Sequence, residues 1–185
     1  MTPIPSRKSG FTLIEVTAVA LVLALIASAV FVSWEAMLPN QRMNTAIREL
    51  SETLYGARSD AIARNGEFRI YYDIDNNSYK VRTPFLIGGG KALVENDEDR
   101  LWQRQRNLAE RDIEILEVTI DDLVYNDGVV YVRFDPLGAS NYHTIVLYQK
   151  RFDRTFTIEA LPLTGDIRYH TGYFQRELAE DSDFQ

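Results

Sequence analysis

Glu15 is the single charged side chain in an apolar run that extends from Phe11 to Val32. A carboxylate in such surroundings is costly, so a residue of this type at this place is expected to have a function. The second feature with chemical potential is the Gly10–Phe11 peptide bond, which separates a hydrophilic leader from the apolar run. A cut after Gly10 would remove the leader, leave the apolar segment on the protein and make Phe11 the new N-terminus. Elsewhere the inventory is thin. His143 and His170 lie far apart, the chain has no cysteine, and neither histidine has metal-ligand spacing around it. Asp75, Asn76 and Asn77 lack the glycine and closing glutamate of a calcium-binding helix–loop–helix. Asp121 with Asp122, and Asp181 with Asp183, read as surface acids and not as a catalytic pair. Gly88-Gly89-Gly90 has neither the strand-to-helix context nor the Lys-Ser/Thr ending of a phosphate loop, and reads as a flexible connection. No enzyme and no cofactor is expected.

The elements that would position Glu15 follow from hydropathy. The run from Phe11 to Val32 holds 22 residues, roughly 33 Å of helix at about 1.5 Å per residue, enough to span a bilayer. Arg7 and Lys8 stand just ahead of it, which keeps the N-terminus cytoplasmic and sends the rest across. A secretory signal peptide has a shorter apolar core followed by a small-residue cleavage site; here the run is long and the small residue, Gly10, precedes it. Trp34 suits the membrane–water interface, and Pro39 is expected to break or kink the helix. The chain divides into a leader, 1–10, an apolar helix, 11–38, a globular domain, 39–175, and an acidic tail, 176–185. Of 185 residues, 45% are hydrophobic and 11% aromatic, which fits one folded domain beyond the helix. The formal charge of -7 becomes -9 once Arg7 and Lys8 leave with the leader. So acidic a domain has no electrostatic footprint for nucleic acid.

A second helical stretch spans about Asn40 to Arg64. Met43, Ile47, Leu50, Leu54, Ala57 and Ala61 form one stripe along it, with Arg42, Arg48, Glu49, Glu52, Arg58 and Asp60 off the stripe. A helix packed on a sheet of its own domain accounts for this better than a short coiled coil. Asn65-Gly66 is the stop. From Glu67 the period changes to two: Phe68, Ile70, Tyr72 and Ile74, a turn at Asp75 to Ser78, then Tyr79, Val81 and Thr83, with Pro84 ending the hairpin. A charged insertion follows to about Asp112, in which Asp99 to Arg111 reads as a short helix. Strands are expected at Ile113 to Ile120, Val129 to Phe134, Thr144 to Tyr148, Thr155 to Ala160 and Asp166 to Tyr169. The fold class is therefore α+β, a long helix against one antiparallel sheet or two packed sheets.

The string Gly10-Phe11-Thr12-Leu13-Ile14-Glu15-Val16 resembles the prepilin signature of type IV pilins and type II secretion pseudopilins. That resemblance implies cleavage between Gly10 and Phe11 by a prepilin peptidase, N-methylation of Phe11, and pairing of Glu15 with the terminal amine of a neighbouring subunit. It also implies a pilin-like fold in the inner membrane, anchored by residues 11–32, with the globular domain in the periplasm. Three further islands are similar to H-type minor pseudopilins and their minor-pilin relatives: Leu54 to Gly66, with its Ala57-Arg58-Ser59-x-Ala61-Ile62 segment; Phe134 to Ser140; and Thr155 to Arg168. They imply a subunit at or near the tip of a pseudopilus, whose partners are other minor and major pseudopilins. A minor pilin of a type IV pilus is the alternative. DNA-binding relatives carry Gly-Arg-x-Arg near the C-terminus; here the positions read Gly165-Asp166-Ile167-Arg168, so no nucleic-acid partner is expected.

Overall fold

The computed structural model describes the backbone of residues 12–92 and 99–176 and, outside residues 28–40, their side chains. The chain separates into two compact units, residues 1–41 and 42–185. One helix, α1 (Leu13–Ala63), begins in the first and ends in the second. It is helical through Pro39, so of the expected break or kink there is no break. A proline removes one N–H and one hydrogen bond, a loss that the turns on either side can carry without ending the helix. Among the described residues no helix is long and apolar enough to cross a membrane; of the predicted span, Phe11 to Val32, side chains are described only for residues 12–27.

In the second unit α1 is amphipathic. Met43, Ala46, Leu50, Leu54, Ala57 and Ala61 are buried, every one at or below 2% exposure, while Arg48, Glu52 and Tyr55 face out. The stripe enters a single core with Phe68, Ile70, Tyr72, Tyr79, Val132, Ile145 and Ile158 from the strands. The helix stops at Asn65, whose φ of 47° is left-handed. Gly66 N–H then reaches back to the Ala61 carbonyl at 3.1 Å and Asn65 N–H to Ile62 at 3.3 Å, satisfying the last carbonyls of the helix.

The strands form two antiparallel sheets. The first has the order β3-β2-β1-β6, with β1 (Phe68–Asp73), β2 (Ser78–Leu86), β3 (Arg100–Asn107) and β6 (Val129–Phe134). The second has the order β5-β4-β7-β8-β9, from β4 (Ile113–Ile120), β5 (Leu123–Tyr125), β7 (His143–Gln149), β8 (Arg154–Ala160) and β9 (Ile167–Thr171). The β1–β2 hairpin has the expected turn, in which Asp73 Oδ1 accepts the Asn76 N–H at 3.0 Å and Asn77 takes φ 49°.

Three expectations fail here. The stretch Asp99 to Arg111 is not a helix but β3, paired with β2, followed by one 3-10 turn at Ala109–Arg111. Pro84 does not end β2, which continues to Leu86; the β2–β3 register shifts between Arg82 and Leu86, an irregularity that accommodates a residue unable to donate. A three-residue strand, β5, pairs with β4 where none was expected. The acidic tail, apart from Arg176, lies outside the described residues.

Candidate functional site

The sequence places its chemistry at the start of α1. Gly10 and Phe11 lie outside the described residues. Glu15 is described, and its carboxylate closes a reciprocal cap with Thr12. Thr12 N–H donates to Glu15 Oε2 at 3.2 Å, Thr12 Oγ1 donates to the same oxygen at 3.2 Å, and Glu15 N–H donates to Thr12 Oγ1 at 3.3 Å. Such a cap satisfies donors that the first turn leaves open and sets a negative charge at the positive end of the helix dipole. Thr12 is the residue that the sequence reading missed, although Thr12-x-x-Glu15 ahead of an apolar run is its signature. Around the cap nothing covers the apolar side chains: Leu13 is 84% exposed, Ile14 77% and Leu21 64%. An exposed apolar surface of this extent calls for a partner or a lipid environment. The arrangement can hold a carboxylate ready for a cation.

The family-like islands meet at Arg58. Its Nε donates to the Gly138 carbonyl at 2.9 Å and an Nη donates to the Leu163 carbonyl at 3.3 Å. One guanidinium on α1 thus fastens the turn after β6 and the turn after β8. Gly165, at φ +67°, lies so close that a Cβ there would come within 2.6 Å of Arg58 Cδ; at Gly138, at φ +83°, a Cβ would meet Ile62. Asp135 organises the first turn by accepting N–H bonds from Leu137 and Ala139, each 2.9 Å. These islands are a structural latch. Of the Gly165-Asp166-Ile167-Arg168 positions, Gly165 serves that latch and Arg168 lies opposite Glu159 on β8.

The charged flank of α1 explains where β3 goes. Glu49 takes both Arg111 Nη atoms at 3.0 Å, with Arg106 at 3.5 Å, and Asp60 takes Arg104 at 3.3 Å. The Arg111 hydrogen bonds hold the Glu49 carboxyl below its ordinary range. Both histidines are structural. His143 is fully buried, and its Nδ1–H donates to the Asn141 carbonyl at 3.0 Å, since that oxygen can only accept. Burial pushes its pKa down to about 4, so the ring is neutral. His170 Nε2 is 2.9 Å from Glu159 Oε2 and stacks on Phe174 at 3.7 Å. Tyr142 also donates to Glu159, at 3.2 Å, and burial with the Glu159 charge pushes its hydroxyl up to about 12. Among the described residues no group of acids and histidines is placed to hold a metal ion.

An apolar N-terminal helix capped by its own glutamate is continued by an amphipathic half that packs on antiparallel sheets. Residues 5–31 match the prokaryotic N-terminal methylation motif. In fold the chain is similar to the minor pseudopilin EpsH of the type II secretion system of Vibrio cholerae. One crystal structure of EpsH aligns with a TM-score of 0.51 at 13% identity, over 74% of this chain and 98% of that one. A second EpsH structure gives 0.46 at 14% identity, over 69% and 95%. No curated protein matches in sequence.

Proposed function

We propose that this chain is a non-catalytic minor pseudopilin of a type II secretion system, a subunit at or near the tip of a periplasmic pseudopilus that helps to start its assembly and drive protein export. The observation that carries this reading is the first turn of α1, where Glu15 is capped by Thr12 directly after the Gly10–Phe11 junction and is followed by uncovered apolar side chains. Prepilin peptidase cuts between Gly10 and Phe11, and the Phe11 amine is methylated. Residues 11–32 then lie in the inner membrane, and the domain from about residue 39 to 175 in the periplasm. A carboxylate and an ammonium are each costly alone in lipid, so Glu15 takes the Phe11 amine of an adjacent subunit. Its partners are other minor and major pseudopilins. The resemblance in fold to EpsH supports the secretion reading over a type IV pilus, whose minor pilins share every N-terminal feature.

Intact-mass measurement on protein expressed in membranes with the peptidase tests the first step: the expected chain starts at methylated Phe11, and one that keeps residues 1–10 refutes the reading. Glu15→Ala should be cut normally yet co-purify with partner subunits at no more than about a tenth of the wild-type level, since it leaves the amine unpaired. Wild-type assembly by the processed variant would remove the pairing role.

A further inference from the structure

β6 is the last strand of its sheet. β1 occupies one side of it, and on the other side the described residues offer only the isolated bridge between Phe134 and Ser140. Alternate residues of such a strand turn their N–H and C=O groups outward with nothing to receive them. Edge strands are commonly blunted by proline, charged side chains, a bulge or great shortness. β6 reads Val129-Val130-Tyr131-Val132-Arg133-Phe134, six residues in unbroken register with β1, with no proline or bulge and Arg133 as its one charge.

Beside this edge lies a cleft of about 440 Å³, lined by Ile120 and Tyr125 of the second sheet, by Val129, Val130, Tyr131 and Arg133 of β6, and by Asn141. Apolar side chains at and beside it are uncovered: Leu123 is 62% exposed, Val129 58% and Tyr131 45%. Arg69 and Tyr71 brace the Tyr131 ring, at 4.9 and 5.2 Å. One cation stands in the cleft. Arg133 is exposed, and among the described residues it forms no ion pair.

We infer that the β6 edge is a strand-addition site, which takes one extended segment of a partner protein, apolar at alternate positions and carrying a carboxylate that meets Arg133. The open ladder specifies the backbone of the occupant, because a helix spends its own N–H and C=O groups internally and would leave the edge unpaired. The apolar walls and Arg133 specify its side chains. The site stands on the geometry of the edge and does not depend on the pseudopilus reading.

The test uses the full-length chain in detergent and two fluorescein-labelled hexapeptides, Val-Thr-Val-Asp-Val-Thr and the same sequence with lysine for aspartate. The aspartate peptide should bind and slow hydrogen exchange at the β6 amides turned away from β1, while the lysine peptide binds about tenfold more weakly, as a close charge pair in a partly enclosed site dictates. Arg133→Glu should reverse that ranking with an unchanged circular dichroism spectrum; if it fails to fold, Arg133→Gln should abolish the ranking. Binding without slowing at β6, equal binding of the two peptides, or no binding would overturn the proposal. So would β6 amides that are already slow and quicken when residues 177–185 are deleted, which would make the chain's own C-terminal segment the occupant. Protection that rises with protein concentration would likewise overturn it in favour of a second copy.

Discussion

The two described parts of α1 obey different rules. From Met43 to Ala61 the apolar residues Met43, Ala46, Leu50, Leu54, Ala57 and Ala61 are buried, and most of the charged residues between them are paired: Glu49 with Arg111, Asp60 with Arg104, Arg48 with Glu52. From Leu13 to Ile26 the apolar residues run all round the helix and stand exposed, and the single charge is spent on the helix's own N-terminus. The first pattern is a helix that its own domain completes. The second is a helix that must be completed from outside, by lipid or by other subunits.

Substitution should separate the two parts sharply. Leu50→Ala, which opens a cavity in the core, is expected to cost about 2–5 kcal/mol of folding stability in denaturant titrations. Leu21→Ala should leave the same titration unchanged. Equal effects would erase the distinction. The buried His143 gives the next largest effect. Its folded pKa of about 4 lies below an unfolded value of about 6.5. The unfolded chain therefore binds the proton first, so stability is full above pH ~6.5 and falls by up to about 3 kcal/mol as the pH drops to ~4. His143→Phe should remove that slope, measured as the midpoint of urea unfolding against pH. Arg58→Ala deletes two bonds from a charged donor and should cost roughly 1–3 kcal/mol, with faster hydrogen exchange confined to the turns at residues 135–139 and 161–165. Smallest is Thr12→Val, about 1 kcal/mol at most from the lost cap, readable as fraying of the first helical turn and not as domain stability.

The elements legible in the sequence are those whose pattern is local. Period two in Phe68 to Ile74, the polar turn to Ser78 and the helical stripe from Met43 each announce a burial face directly. β3 was hidden because its residues do not alternate in polarity: Arg104 and Arg106 turn toward acids on α1, whereas Trp102 meets Tyr71 at 5.2 Å. The strand exists because β2 offers it an edge, which no local window contains. Ala46 was likewise passed over in favour of Ile47, since a small residue can be the one that fits under a sheet while its larger neighbour is only partly covered. At the candidate site Glu15 stood out for its charge. Its cap needed the Thr12 offset to be weighed as well, and the β6 edge needed the sheet order.

Arg58 also sets an order in time. Its acceptors lie 80 and 105 residues further along the chain, and a chain made N-terminus first presents α1 long before either exists. Until the turn at Leu163 has emerged, the guanidinium has at most the Gly138 carbonyl to receive it, and the stripe from Met43 to Ala61 has only part of its cover. The latch is thus among the last contacts that the growing chain can complete, and the interval before it closes is when the half-finished domain is most open to aggregation or to a chaperone.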